Sequence, residues 1–75
     1  MITVRVLDPK TGKPVKGARV ALGFYGFPIG GVSKDEYTDA YGEAHFDHEP
    51  CTGEVYVNGK KLKEGPLKGL VIVYI

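Results

Sequence analysis

The sequence predicts an all-β protein, a small seven-stranded antiparallel sandwich forming a single domain over residues 1–75. Three observations lead there. Eleven glycines and five prolines in 75 residues cut the chain into pieces too short for ordinary helices. Most of those pieces alternate apolar and polar residues with a period of two, which gives a strand one dry and one wet face. Turn chemistry separates them at short, regular intervals, and the chain holds no internal repeat.

The elements follow in order. In 2-ITVRVL-7, Ile2, Val4 and Val6 alternate with Thr3 and Arg5. The segment 8-DPKTGKP-14 is a turn, with proline fixing φ and Gly12 free to take positive φ. The strand 18-ARVALGFY-25 sends Ala18, Val20, Leu22 and Phe24 inward, and the glycine-rich loop 26-GFPIGGVS-33 follows it. A short strand at 34-KDEYT-38 meets the tight turn 39-DAYG-42. The chain returns as 43-EAHFD-47, with Ala44 and Phe46 inward and Glu43, His45 and Asp47 outward. Past 49-EPCTG-53, the strand 54-EVYV-57 turns through Asn58-Gly59, a strong two-residue hairpin signal, into 60-KKLK-63. After 64-EGPLKG-69 the chain closes with 70-LVIVYI-75.

Ten lysines and arginines against nine acids leave a net charge of +1. That field is too weak to gather nucleic acid or anionic lipid, so neither is an expected partner. The opening MITVRVLD lacks a charged segment followed by a long apolar run, and no stretch reaches the roughly 20 apolar residues of a membrane helix. The expectation is a protein without a signal peptide, cytoplasmic or part of a larger particle such as a virion. The single cysteine, Cys51, has no internal partner for a disulfide and fits a reducing compartment.

Three stretches carry a family resemblance. VRVLDPKTGKPVKGARVAL, with Asp8, Gly12, Pro14 and Gly17 at its turns, resembles the opening of transthyretin-like and carboxypeptidase regulatory-like domains. YTDAYGEAHF resembles their Thr-Asp-x-x-Gly-x-Ala-x-Phe hairpin, and PCTGEVYVNG resembles the segment that follows it. The resemblance implies a prealbumin-like, immunoglobulin-like sandwich. It leaves function open, because such sandwiches serve as carriers, adhesive modules, enzyme appendages and, in one branch, a hydrolase. That branch carries a histidine in the first strand and a Tyr-Arg-Gly-Ser ending. Here Arg5 takes the first position and the chain ends VIVYI, so the resemblance implies no hydrolase. Related adhesin modules join a first-strand lysine to a last-strand Asn or Asp, and neither stands here, so no isopeptide crosslink is expected.

The stretch 43-EAHFDHEPC-51 gathers metal-ligating residue types. A zinc site needs about four converging ligands. His45, His48 and Cys51 supply three, but alternation turns His45 outward, gives His48 the inward parity of Phe46 if the strand runs that far, and leaves Cys51 in the next turn. No second Cys or His cluster completes the set. The preferred reading is an exposed strand histidine, a strand-end histidine and a small buried thiol, with no cofactor or metal. A small metal-binding or hydrolytic protein using His45, His48 and Cys51 is the alternative. The acids Asp35, Glu36, Asp39 and Glu43 do not follow the calcium-loop pattern and read as a solvated face. The lysines of 60-KKLKEGPLK-68 read as protection of an exposed sheet edge.

Two features point to a protein partner or a homo-oligomer. The last strand is apolar at every position, so one set, either Val71, Val73 and Ile75 or Leu70, Ile72 and Tyr74, must lie outside a two-layer core. Covering each such side chain fully is worth roughly 1.5–3 kcal/mol before association costs. The loop near Tyr25, Phe27 and Ile29 concentrates bulky apolar groups among glycines, either as a plug for the sandwich or as a recognition tip. The expected interaction residues are Tyr25, Phe27, Ile29, Val71, Val73 and Ile75, on a module that is not an enzyme.

Overall fold

The computed structural model describes residues 1–25 and 31–75, which carry eight strands. These are β1 (Ile2–Leu7), β2 (Arg19–Phe24), β3 (Gly31–Val32), β4 (Glu36–Tyr37), β5 (Glu43–Phe46), β6 (Cys51–Val57), β7 (Lys60–Leu67) and β8 (Gly69–Tyr74). Two sheets result. The first has the order β5-β1-β8; the second runs β3-β2-β6-β7, with β4 on the same edge of β2 as β3. The all-β, two-sheet expectation holds, but there are eight strands where seven were predicted. The addition, β3, arises inside the expected loop 26–33, where Gly23 and Phe24 pair with Val32 and Gly31. Phe27 and Ile29 lie outside the described residues.

The predicted antiparallel pairing needs one correction. β1 and β8 run parallel, from Ile2↔Gly69 to Leu7↔Tyr74 without interruption. Parallel neighbours need a crossover, and here the second sheet is part of it. The chain leaves β7 in the second sheet, turns at Gly69 with φ of 56°, and enters the first sheet beside β1.

The core forms between the sheets as the alternation directs. β1 contributes Ile2, Val4 and Val6, β2 contributes Val20 and Leu22, and β6 contributes Val55 and Val57. Ala18, Ala44, Phe46 and Leu67 complete it with Val71 and Val73. Residues paired across a ladder share a face, so Val4↔Val71 and Val6↔Val73 carry the inward parity of β1 into β8. Val71 and Val73 are therefore core residues, 5 % and 4 % exposed, and not the outward set chosen from the sequence.

The corners are tied by side chains whose types the turns require. Thr38 is a buried polar residue whose hydroxyl donates to the Val15 carbonyl at 2.6 Å and accepts from the Ala18 amide at 2.8 Å. Asp39 Oδ1 accepts from the Tyr41 and Glu43 amides, closing the turn into β5. Gly42 has φ of 74°, and a Cβ there would stand 2.6 Å from the Val6 carbonyl oxygen. In β7, Lys63 pairs with Val55 and Lys61 with Tyr56, so Leu62 bulges out of register and packs against the core. Among the described residues, every buried side-chain nitrogen and oxygen has a hydrogen-bond partner.

Two glycines separate the cost of crowding from the cost of backbone conformation. A Cβ on Gly53 would overlap the Gly23 carbonyl oxygen, whereas one on Gly12, with φ of 73°, meets nothing within 4 Å. Gly53→Ala is expected to lower stability by about 3 kcal/mol through overpacking of two backbones. Gly12→Ala is expected to cost about 1 kcal/mol, from the left-handed conformation alone. Urea midpoints of the two variants check the order, and equal losses would contradict the close approach of β2 and β6.

Candidate functional site

The outer face of the first sheet divides along its length. The register aligns His45, Thr3 and Leu70 in one row, Glu43, Arg5 and Ile72 in the next, and Leu7 beside Tyr74. In the first two rows the β5 side is polar and internally paired. Thr3 Oγ1 lies 3.0 Å from His45 Nδ1, and Arg5 Nε and Nη2 both donate to Glu43 Oε2. The β8 side is apolar: Leu70 is 48 % exposed, Ile72 38 % and Tyr74 57 %. Ile75, 43 % exposed just past the strand, has the parity of Val71 and Val73, and its amide is anchored to the Leu7 carbonyl at 3.1 Å. Tyr74 and Ile75 also line a cleft with Val57, Lys60 and Leu62 at the open side of the sandwich.

Of the residues chosen from the sequence, the structure leaves Ile75 exposed, takes Val71 and Val73 into the core, and sets Leu70, Ile72 and Tyr74 outside in their place. Alternation alone did not choose between the two sets, because every position of β8 is apolar. Tyr25 lies elsewhere, with its hydroxyl donating to Glu64 on β7. It belongs to a network on the second sheet in which Tyr56 donates to Glu54 and the Lys61 ammonium bridges Glu54 and Glu64. The bond to Glu64 pushes the Tyr25 hydroxyl well above the usual tyrosine range. The hydrogen bond from Tyr56 holds Glu54 low, the one from Tyr25 holds Glu64 low, and the two carboxylates raise Lys61. Tyr25 and the β8 strip thus sit on opposite layers and do not form one surface.

The three candidate ligands do not converge. β5 ends at Phe46, so His48 lies beyond the strand, exposed, and lacks the inward parity of Phe46. Its ring stacks on Phe24 with centroids 4.2 Å apart and planes 10° from parallel. Cys51 starts β6, half-buried against the core, and burial raises its thiol pKa, which lowers the thiolate fraction a ligand or nucleophile needs. Among the described residues the one group with ligand atoms within 4.8 Å of each other is Asp39, Glu43 and His45. Sequence reasoning missed it, since Asp39 stands across the turn and reaches the strand only when the turn closes. Its carboxylates are already engaged, Glu43 by the Arg5 guanidinium and Asp39 by two backbone amides. His45 Nε2 lies 3.8 Å from each of them, so the group is a surface ion-pair cluster.

Comparison of the chain with known protein families, curated proteins and solved structures finds no match in any of the three. Among the described residues no helix is long and apolar enough to cross a membrane.

The backbone amide of Glu43, together with that of Tyr41, holds the Asp39 carboxyl below its ordinary pKa. A carboxylate with a depressed folded-state pKa stabilises the fold fully above its unfolded value, about 3.9, and loses that contribution as pH falls through the folded one. Glu54 and Glu64, also held low, act in the same direction. Between pH 6 and pH 2, roughly the acid-unfolding range, the urea midpoint of Asp39→Asn is expected to fall less than that of the unaltered chain. Parallel falls would remove the turn carboxylate from the acid response. Replacing His45, His48 and Cys51 together by alanine is expected to leave the fold intact, with a small loss from the half-buried Cys51, as measured by thermal unfolding. A zinc affinity below micromolar that disappears in this variant would restore the metal alternative.

Proposed function

We propose that this chain is a non-catalytic β-sandwich module for protein binding or assembly, docking through the apolar outer face of its C-terminal strand. One observation carries the reading: Leu70, Ile72 and Tyr74 stand in a row on the outside of the first sheet, beside a half that is already paired and polar. These side chains are about half covered, so completing their burial is worth on the order of 1 kcal/mol each before association costs. An exposed apolar strip bordered by polar residues is the usual form of a protein-docking surface. We read the domain itself as transthyretin-like or carboxypeptidase regulatory-like. Support comes from Thr38, Asp39 and Gly42, which occupy the turn where that hairpin motif has its Thr, Asp and Gly.

A photo-reactive amino acid tests the reading when placed at Tyr74 in living cells, with Tyr41, 73 % exposed on the turn before β5, as the control position. Position 74 is expected to yield a protein adduct that weakens when Leu70→Thr and Ile72→Thr are added. Threonine keeps the strand propensity, so folding is retained. Equal labelling at 41 and 74, or no protein adduct at 74, overturns the docking surface.

A further inference from the structure

We propose that Asn58 is a site of intramolecular deamidation, with the Gly59 amide nitrogen as nucleophile, and that the hydrogen bonds tying this turn to β2 hold the reaction back in the folded chain.

The chain carries a single side-chain carboxamide. No glutamine occurs in it, and its one asparagine precedes a glycine. Deamidation begins when the backbone nitrogen of the following residue reaches the carboxamide carbon, and a glycine, lacking a Cβ, leaves that nitrogen the least shielded. Both Asn58 and Gly59 are exposed, so water and base reach them freely. The Gly59 nitrogen loses its proton and bonds to Asn58 Cγ. The Cγ–Nδ2 bond then breaks, and Nδ2 takes up a proton and leaves as ammonia. Water opens the resulting succinimide at either carbonyl. Opening at Cγ leaves an aspartate; opening at the main-chain carbonyl leaves an isoaspartate, whose backbone runs through Cβ and Cγ and is longer by a methylene.

The fold draws the carboxamide away from its nucleophile. β2 and β7 flank β6 on opposite sides, and Asn58-Gly59 leads from β6 into β7. Asn58 Oδ1 is held on the β2 side, where it accepts from the Arg19 amide at 3.1 Å. The Asn58 amide donates to the Arg19 carbonyl at 2.8 Å, so main chain and side chain are fixed to the same residue. The backbone has φ of 52° at Asn58 and 84° at Gly59, the two positive values of the tight hairpin turn. Cγ meets the Gly59 nitrogen only after the side chain has let go of Arg19, so a local opening of the turn from β2 precedes the chemistry.

The two products fit the turn unequally. Aspartate tolerates positive φ as asparagine does, and its carboxylate accepts the Arg19 amide in a charge-assisted bond. The Arg19 guanidinium reaches the same turn, with Nη2 3.5 Å from where a Cβ on Gly59 would stand. Isoaspartate lengthens a loop closed by two residues and disturbs the pairing of Val57 with Lys60. Either product adds a negative charge and takes the formal net charge from +1 to zero, the condition in which copies of a chain repel one another least.

Incubation at mildly alkaline pH of the folded chain, and of the chain unfolded in guanidinium chloride, tests the proposal, with mass spectrometry of the peptide that contains residue 58 as the readout. The unfolded chain is expected to convert at least about tenfold faster, the factor that opening two ordinary hydrogen bonds imposes. Gly59→Ala, compared in denaturant so that its folding plays no part, is expected to convert several-fold more slowly. Asn58→Asp is expected to keep the guanidinium midpoint of the unaltered chain, and the isoaspartate form, separated by ion exchange, to unfold at lower denaturant. An unfolded chain that keeps its carboxamide, or a Gly59→Ala chain that converts at the unaltered rate, overturns the site and its nucleophile. Equal rates in the folded and unfolded chains overturn the protection by Arg19.

Discussion

The ladder between the first and last strands decides most of what this molecule presents to its surroundings. β8 is apolar at every position and has no preferred side of its own. It acquires one because Val71 and Val73 stand opposite Val4 and Val6, whose inward direction is set by the polar residues alternating with them in β1. A slip of one residue in that register would exchange the faces, taking Leu70, Ile72 and Tyr74 inside and expelling two valines. The exposed apolar face of β8 is thus a consequence of pairing, and its residues are those the core did not use.

That ladder in turn depends on corners that bring the chain back to β1 twice. The turn from β4 to β5 is held by Thr38 and Asp39, and the Gly42 carbonyl accepts the Val6 amide at 2.7 Å, which locks the turn to the end of β1. On the other layer, the close approach of Gly53 to the Gly23 carbonyl brings β2 and β6 together under Leu67. Side chains are small or absent where backbones meet and branched where the layers meet, which lets a domain this short fill its interior.

Much of the architecture was legible in the chain, and the parts that were not share a cause. The alternation of β1, the Asn58-Gly59 hairpin and the turn at residues 39 to 42 are local patterns, and each stands where local chemistry puts it. The parallel partnership of β1 and β8 joins residues more than sixty positions apart, and no local pattern encodes it. The outward set in β8 was unreadable for the same reason. The gathering of Asp39 with Glu43 and His45 is short in sequence, but it forms only when the turn closes and brings Asp39 back against the strand. His48 stands past the strand end, as the strand-end reading expected: β5 stops two residues before it, and stacking on Phe24 takes over from the alternation.

The parallel ladder has a mechanical side. Ile2, at the start of β1, stands opposite Gly69, and Ile75, past the end of β8, bonds to Leu7, so the chain enters β1 at one pole and leaves β8 at the other, along adjacent, co-directional strands. Tension drawn between those poles slides β1 along β8 and loads all the bonds of the ladder at once, instead of peeling them one by one. A sandwich with its ends arranged this way resists stretching through its terminal strands, whatever thermal stability its small core provides.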